Sequence, residues 1–120
     1  MKDAAQLRNA LVQFTGTGTW WRHGLNRSML YTDGVQYFAE QAGGGAYWFL
    51  DIVATELMDI HKREEFINIV MLVKDKSALI TADDGNNNEL WRRAIKYTDC
   101  PSGRWQFYLE NKVVCLPSER

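Results

Sequence analysis

Apolar side chains recur at helical spacing through the first half of the chain and at strand spacing through much of the second. The strongest helical stretch opens at Gly43-Gly44-Gly45 and runs on to Ile60. At about 100° per residue, Phe49, Leu50, Val53, Ala54, Leu57 and Ile60 share one broad apolar arc. Asp51, Thr55, Asp59 and Lys62 form a narrow polar stripe on the other side. Trp48 falls within that stripe and Ile52 beside it. Either the N-terminal helix covers these two, or they form an exposed patch of the kind that marks a contact site. His61 lies within the arc near the helix end, where a lone imidazole more often serves the C-terminal dipole than a ligand.

The remaining pattern supplies the other elements. Asp3 followed by Gln6 is a capping-box start, and Leu7, Leu11 and Phe14 carry a first helix over about Asp3 to Phe14. The threonines and glycines from Thr15 to Thr19 end it. They lack the lysine and the strand-loop-helix setting that a phosphate-binding loop needs. Met29 to Glu40 reads as a short second helix, capped by Thr32 or Asp33, with Gln36 placed to close a box against Asp33. After the charged exit Lys62-Arg63-Glu64-Glu65 the period changes. Phe66 to Val73 is apolar on both faces and reads as a central strand. Ser77–Ala82, Glu89–Tyr97, Trp105–Glu110 and Lys112–Leu116 follow, separated by turn-forming residues. Trp91, Ile95 and Tyr97 share a face of the third strand, and Arg93 among those inward positions points to a bulge or a polar pocket. Asp83 to Asn88 offers oxygen donors without the spacing or distal glutamate of a calcium loop, so turn chemistry accounts for it. The expected architecture is α+β: three N-terminal helices packed on one face of an antiparallel meander sheet of about five strands, in a single domain over residues 1–120.

Charge narrows the partners. With 14 basic and 15 acidic residues the net charge is −1, which gives no electrostatic footprint for long DNA. No run approaches the roughly 18 apolar residues of a membrane span. Met1-Lys2-Asp3 leads into an amphipathic helix, not a signal peptide, so a cytoplasmic protein with no membrane contact is expected. Cys100 and Cys115 are too few and too far apart for a zinc site and are expected as reduced thiols. No metal and no cofactor is expected.

Trp20-Trp21-Arg22-His23 is the most unusual tetrapeptide. Successive side chains of an extended segment alternate faces, so one indole is expected against the helices and the other at the surface. Trp and Arg dominate binding hot spots; the competing role is a Trp sealing the core edge with Arg22 laid over it. Gly24 to Ser28 reads as a mobile loop. The candidate binding residues are Trp20, Trp21, Arg22, His23, Trp48, Arg92 and Arg93. A nucleotide or single-stranded nucleic-acid site would combine the Trp20–His23 group with Arg92, Arg93 and Lys96 as stacking and phosphate contacts. No catalytic residue is assigned: the best constellation, His23, Asp33 and Asp51 around a Trp-lined pocket, is brought together by no spacing argument.

The motifs Gln13-Phe14-Thr15-Gly16-Thr17, Leu30-Tyr31-Thr32-Asp33-Gly34-Val35, Gly45-Ala46-Tyr47-Trp48, Ile95-Lys96-Tyr97-Thr98-Asp99 and Leu116-Pro117-Ser118-Glu119 span nearly the whole chain. In them the chain resembles a family of small bacterial, plasmid and phage proteins known only as a domain of unknown function. The resemblance implies a setting, cytoplasmic proteins that travel on mobile elements, and assigns no activity to any residue. The function expected is protein–protein interaction: a mobile-element protein that binds a host protein complex, for instance as an anti-CRISPR or other anti-defence inhibitor. The alternatives are a nucleotide or single-stranded nucleic-acid binding module and a small enzyme. A homodimer through Trp48 and Ile52 is a competing use of the same patch.

Overall fold

The computed structural model describes residues 2–120, so Met1 and its expected place ahead of the first helix lie outside the described residues. The capping box forms as its sequence predicts. The Asp3 carboxylate accepts the Gln6 amide at 2.8 Å, and the Gln6 side chain accepts the Asp3 amide at 3.1 Å, opening α1 (Ala4–Leu11). The helix stops short of Phe14, which turns instead onto Tyr37 with ring centroids 5.4 Å apart.

The second helix starts later than the periodicity suggests. Leu30 and Tyr31 form a strand, β2 (Leu30–Tyr31), paired antiparallel with β1 (Trp21–Arg22) and parallel with β7 (Val113–Cys115). Helix α2 then spans Asp33–Gln41. Tyr31 keeps the helical spacing to Val35 and Phe38, but a partner strand from the far end of the chain outweighs that local signal. Capping is also different from expectation, since Thr32 sits at the N-cap with no side-chain bond to the helix. Glu119, in the 3-10 turn Pro117–Glu119, serves that end: its carboxylate accepts the Gly34 amide at 3.0 Å, the Thr32 hydroxyl at 2.5 Å and the Leu116 amide at 2.9 Å.

The long third helix, α3, begins after the triple glycine. Gly43 has φ +58°, and a Cβ there would lie 2.3 Å from the Asp99 carboxylate. Asp99 accepts the Gly44 amide at 2.8 Å, so the loop is moulded around that carboxylate. The helix is α-helical over Tyr47–Ile52, π-helical over Val53–Leu57 and α-helical again over Met58–His61.

Four longer or later strands follow: β3 (Phe66–Lys74), β4 (Ser77–Asp83), β5 (Glu89–Ile95) and β6 (Gly103–Glu110), before β7. The sheet has seven strands in the order β1-β2-β7-β6-β3-β4-β5, where five in an antiparallel meander were expected. The two additional strands are two residues long, too short for any periodic signal. Two hairpins close on left-handed pairs, Asp75-Lys76 and Asn111-Lys112, the geometry that matches strand twist.

All three helices lie on one sheet face. Arg8 of α1 stacks on Trp105, and Phe38 of α2 and Phe49 of α3 meet Phe107 with centroids 5.0 and 4.7 Å away. Ile67, Ile69, Met71 and Val73 of β3 are buried beneath them. On the opposite face Leu72 is 46% exposed, Val70 is buried, and Arg120 lies over the rings of Phe66 and Tyr108. β3 is a central strand as expected, paired with β6 on one side and β4 on the other. An apolar strand in a two-layer fold needs only one covered face. Tyr97 departs from expectation, lying beyond β5 and 69% exposed. The β5 bulge falls at Leu90, where the register shifts between Ala82 and Asp83, and not at Arg93.

Candidate functional site

The Trp20–Ser28 segment is built as a hairpin laid against α3. β1 pairs Trp21 with Tyr31 and Arg22 with Leu30, and the chain between is closed by the His23 amide on the Met29 carbonyl and the Met29 amide on the Asn26 carbonyl, each at 3.0 Å. His23 is buried. Its Nε2 donates to Asp51 at 2.8 Å, and its Nδ1 accepts the Leu25 and Asn26 amides at 3.2 and 3.0 Å. With one nitrogen donating and the other receiving two amides, the ring is a neutral Nε2–H tautomer with no lone pair free for proton transfer. Asn26 donates from Nδ2 to the Ala54 carbonyl at 3.0 Å, a carbonyl within the π turn. Its own oxygen accepts from the Ser28 amide and hydroxyl, and Arg22 donates to the Arg27 carbonyl. The Gly24–Ser28 segment expected to be mobile is thus held at Asp51, at Ala54 and within itself, because its polar side chains return to its own backbone.

A second anchor lies at the start of the hairpin. The Asp33 carboxylate accepts the Trp21 indole N–H at 2.9 Å and the Gly18 amide at 2.8 Å, while the Asp33 amide donates to Thr17. Those donors, the indole foremost, hold the Asp33 carboxyl below the usual carboxylate range. The glycine-threonine loop is therefore organised around an internal carboxylate. Neither indole packs against the helices as expected: Trp21, at 37%, is exposed as well as Trp20. Trp21 turns to Asp33, and Trp20 stands 58% exposed beside a shallow groove that includes Val113, Cys115 and Arg120. Leu25 at the hairpin tip is 81% exposed.

The other candidate residues lie elsewhere. Trp48 is half-buried and meets Phe49 edge-on, with centroids 6.5 Å apart. The N-terminal helix packs on α2, leaving Trp48 and Ile52 as partly buried flanks of the core. Arg92 is engaged by Glu89 at 2.7 Å, and Arg93 reaches from β5 to Glu56 on α3, so Arg93 faces the helices because it pairs with one. β5 and β1 are the two outer strands of the sheet, six strand steps apart. The structure does not bring the Trp20–His23 group and the Arg92–Arg93 pair into one site. Of the possible catalytic constellation, it joins His23 to Asp51 but turns Asp33 to Trp21 instead.

A family model matches residues 5–120, from within α1 through all seven strands. The chain belongs to DUF6876, a family of unknown function. No curated protein and no solved structure matches it. For this DUF6876 chain, then, geometry alone points to working residues, and it adds some that periodicity did not mark. Asn26 and Asp33 position the exposed hairpin. Next to Asn26 opens a cavity of about 700 Å³, walled by Thr55, Met58 and Asp59 of α3, by Lys62 just past its end and by the Asn111-Lys112 turn. The polar stripe on α3 was the available signal for that wall, but the turn opposite it comes from strands fifty residues away and leaves no local trace. Among the described residues, no His, Cys, Asp and Glu group could hold a metal ion, and no helix is long and apolar enough to cross a membrane.

Proposed function

We propose that the protein is an interaction module whose contact surface is the Trp20–Ser28 hairpin. One observation carries this reading: Trp20 and Leu25 stand 58% and 81% exposed on a segment anchored by side-chain hydrogen bonds to α3 and to Asp33. Large apolar groups held rigidly in water lose little conformational entropy when a partner covers them, which is how preorganised surfaces gain affinity. The near-neutral chain favours a protein over a long nucleic acid as that partner. The narrower form, binding and inhibiting a host defence complex such as CRISPR-Cas in the cytoplasm, rests on the mobile-element setting that the sequence resemblance implies.

The test is affinity capture of the tagged protein from bacterial lysate, with and without nuclease, beside Trp20→Ser and Leu25→Ser variants. A complex retained after nuclease treatment and lost in both variants is the expected result. Retention unchanged by the variants, or abolished by nuclease, overturns it. Light scattering on the pure protein separates self-association, which would double the mass, from a foreign partner. Inhibition of the captured complex by added protein then tests the narrower form.

A further inference from the structure

The polar stripe of α3 does two different things along its length. Its first turn is contacted by the hairpin, through His23 on an Asp51 that stays open to water and Asn26 on the Ala54 carbonyl. Its lower turns, Thr55, Asp59 and Lys62, face the open cavity. The change happens at the π turn Val53–Leu57, where the Met58 amide reaches back to the Val53 carbonyl. One extra residue in that turn re-aims the side chains after it, and such turns are frequent at functional sites.

The other walls are fixed as firmly. His61 takes part through both ring nitrogens: Nδ1 donates to the Glu64 carbonyl at 2.8 Å, and Nε2 accepts the Lys112 amide at 3.0 Å. The imidazole thereby braces the β6–β7 turn against the end of α3. Asn26 ties the hairpin to the π turn on the other side. Three elements distant in sequence are thus locked around a volume of about 700 Å³, within the range of small-molecule sites.

Charge decides what the cavity accepts. Asp59, Glu65 and Glu110 bring three carboxylates to the lining, and Lys62 and Lys112 two ammoniums. Asp59 lies 3.2 Å from Lys62, and Glu110 engages Arg120 at 3.3 Å. Among the described residues that leaves Glu65 and Lys112 as the lining charges outside any ion pair. A polyphosphate would face the carboxylates, and a dication the ammoniums, while a molecule bearing one charge of each sign meets a counter-charge at both ends. Met58 and Ala54 add an apolar wall. We infer that this cavity is a preformed site for a small zwitterion, a free amino acid or a dipeptide, with its carboxylate toward Lys112 and its ammonium toward Glu65. The inference is independent of whichever partner the hairpin contacts.

The experiment is amide NMR on the intact labelled chain, titrated at millimolar concentration with pools of the twenty standard amino acids and of their alanyl dipeptides. Shifts concentrated at Asn26, Thr55 and Asn111 are expected. The best binder is then compared with its N-acetyl and carboxamide derivatives, each of which is expected to bind about tenfold or more weakly, the cost of one charge-assisted contact. Lys112→Gln, on an exposed turn, is expected to erase the preference for a free carboxylate and leave that for a free amine; Glu65→Gln is expected to do the reverse. No cavity shifts from any pool, capped derivatives binding equally well, or variants that leave both preferences intact would each overturn the assignment.

Discussion

Removing the Glu119 carboxylate strands three donors at once: the Thr32 hydroxyl and the amides of Gly34 and Leu116. Glu119→Gln keeps the shape and loses the charge-assisted acceptor, so about 1–2 kcal/mol of stability should disappear, read as a lower urea midpoint at unchanged slope. Gly34 belongs to the same contact, because a Cβ there would lie 2.5 Å from Leu116 and 2.8 Å from Glu119. Cys115 offers a chemical readout nearby. Burial, reinforced by the Glu119 and Glu110 carboxylates, pushes its thiol up to about 11. Its thiolate at neutral pH is then roughly a hundredfold scarcer than that of an ordinary cysteine, and iodoacetamide should label it slowly in the native protein and quickly in urea. At this scale the sequence was legible where partners are local, as in the Asp3–Gln6 box. It was silent where they are remote: nothing near Thr32 announces Glu119, which lies 87 residues away.

The hairpin and the loop before it share one carboxylate, and its titration should be visible. Asp33 is held below the usual carboxylate range in the folded chain. Its contribution is therefore complete above the ordinary carboxylate value and fades as pH falls through the depressed one. Acidification past that point should change Trp21 fluorescence, and Asp33→Asn should remove the transition from the titration curve. The π turn makes a second test of the same element. Asn26→Ala leaves the Ala54 carbonyl without its side-chain donor, and about 1 kcal/mol of local stability should be lost. Amide exchange over residues 53–58 should accelerate more than exchange in β3. Helical periodicity identified α3: the residues it placed on the arc are buried and those on the stripe exposed. The same method read Tyr31 into a helix, since a two-residue strand has no period to detect, and it could not register a π turn that changes the repeat for only five residues.

Across the whole molecule, the layout separates what composition had grouped. The Trp20 surface and the Arg92–Arg93 pair occupy opposite borders of the sheet, so Trp20→Ser and Arg93→Ala should act additively on partner affinity and stability, within about 0.5 kcal/mol in a double-mutant cycle. Arg93→Ala alone should cost at most about 1 kcal/mol, since its pairing with Glu56 is half open to water. The α+β class and the stacking of helices on one face followed from where helical spacing gives way to strand spacing. Strand order did not follow, because pairing between distant segments leaves no mark on either. That order has a consequence for how the chain acquires its shape. β7 is the link between the β1–β2 ribbon and the β6-β3-β4-β5 block, and a ribbon of two-residue strands has too little surface to persist unaided. As the chain leaves the ribosome β7 appears after every other strand, so the sheet pairing of β2 waits for it, whereas the anchors of the hairpin on Asp33, Asp51 and Ala54 do not. The hairpin thus joins the sheet only through its last strand, and loss of β7 should loosen the surface that Trp20 and Leu25 present.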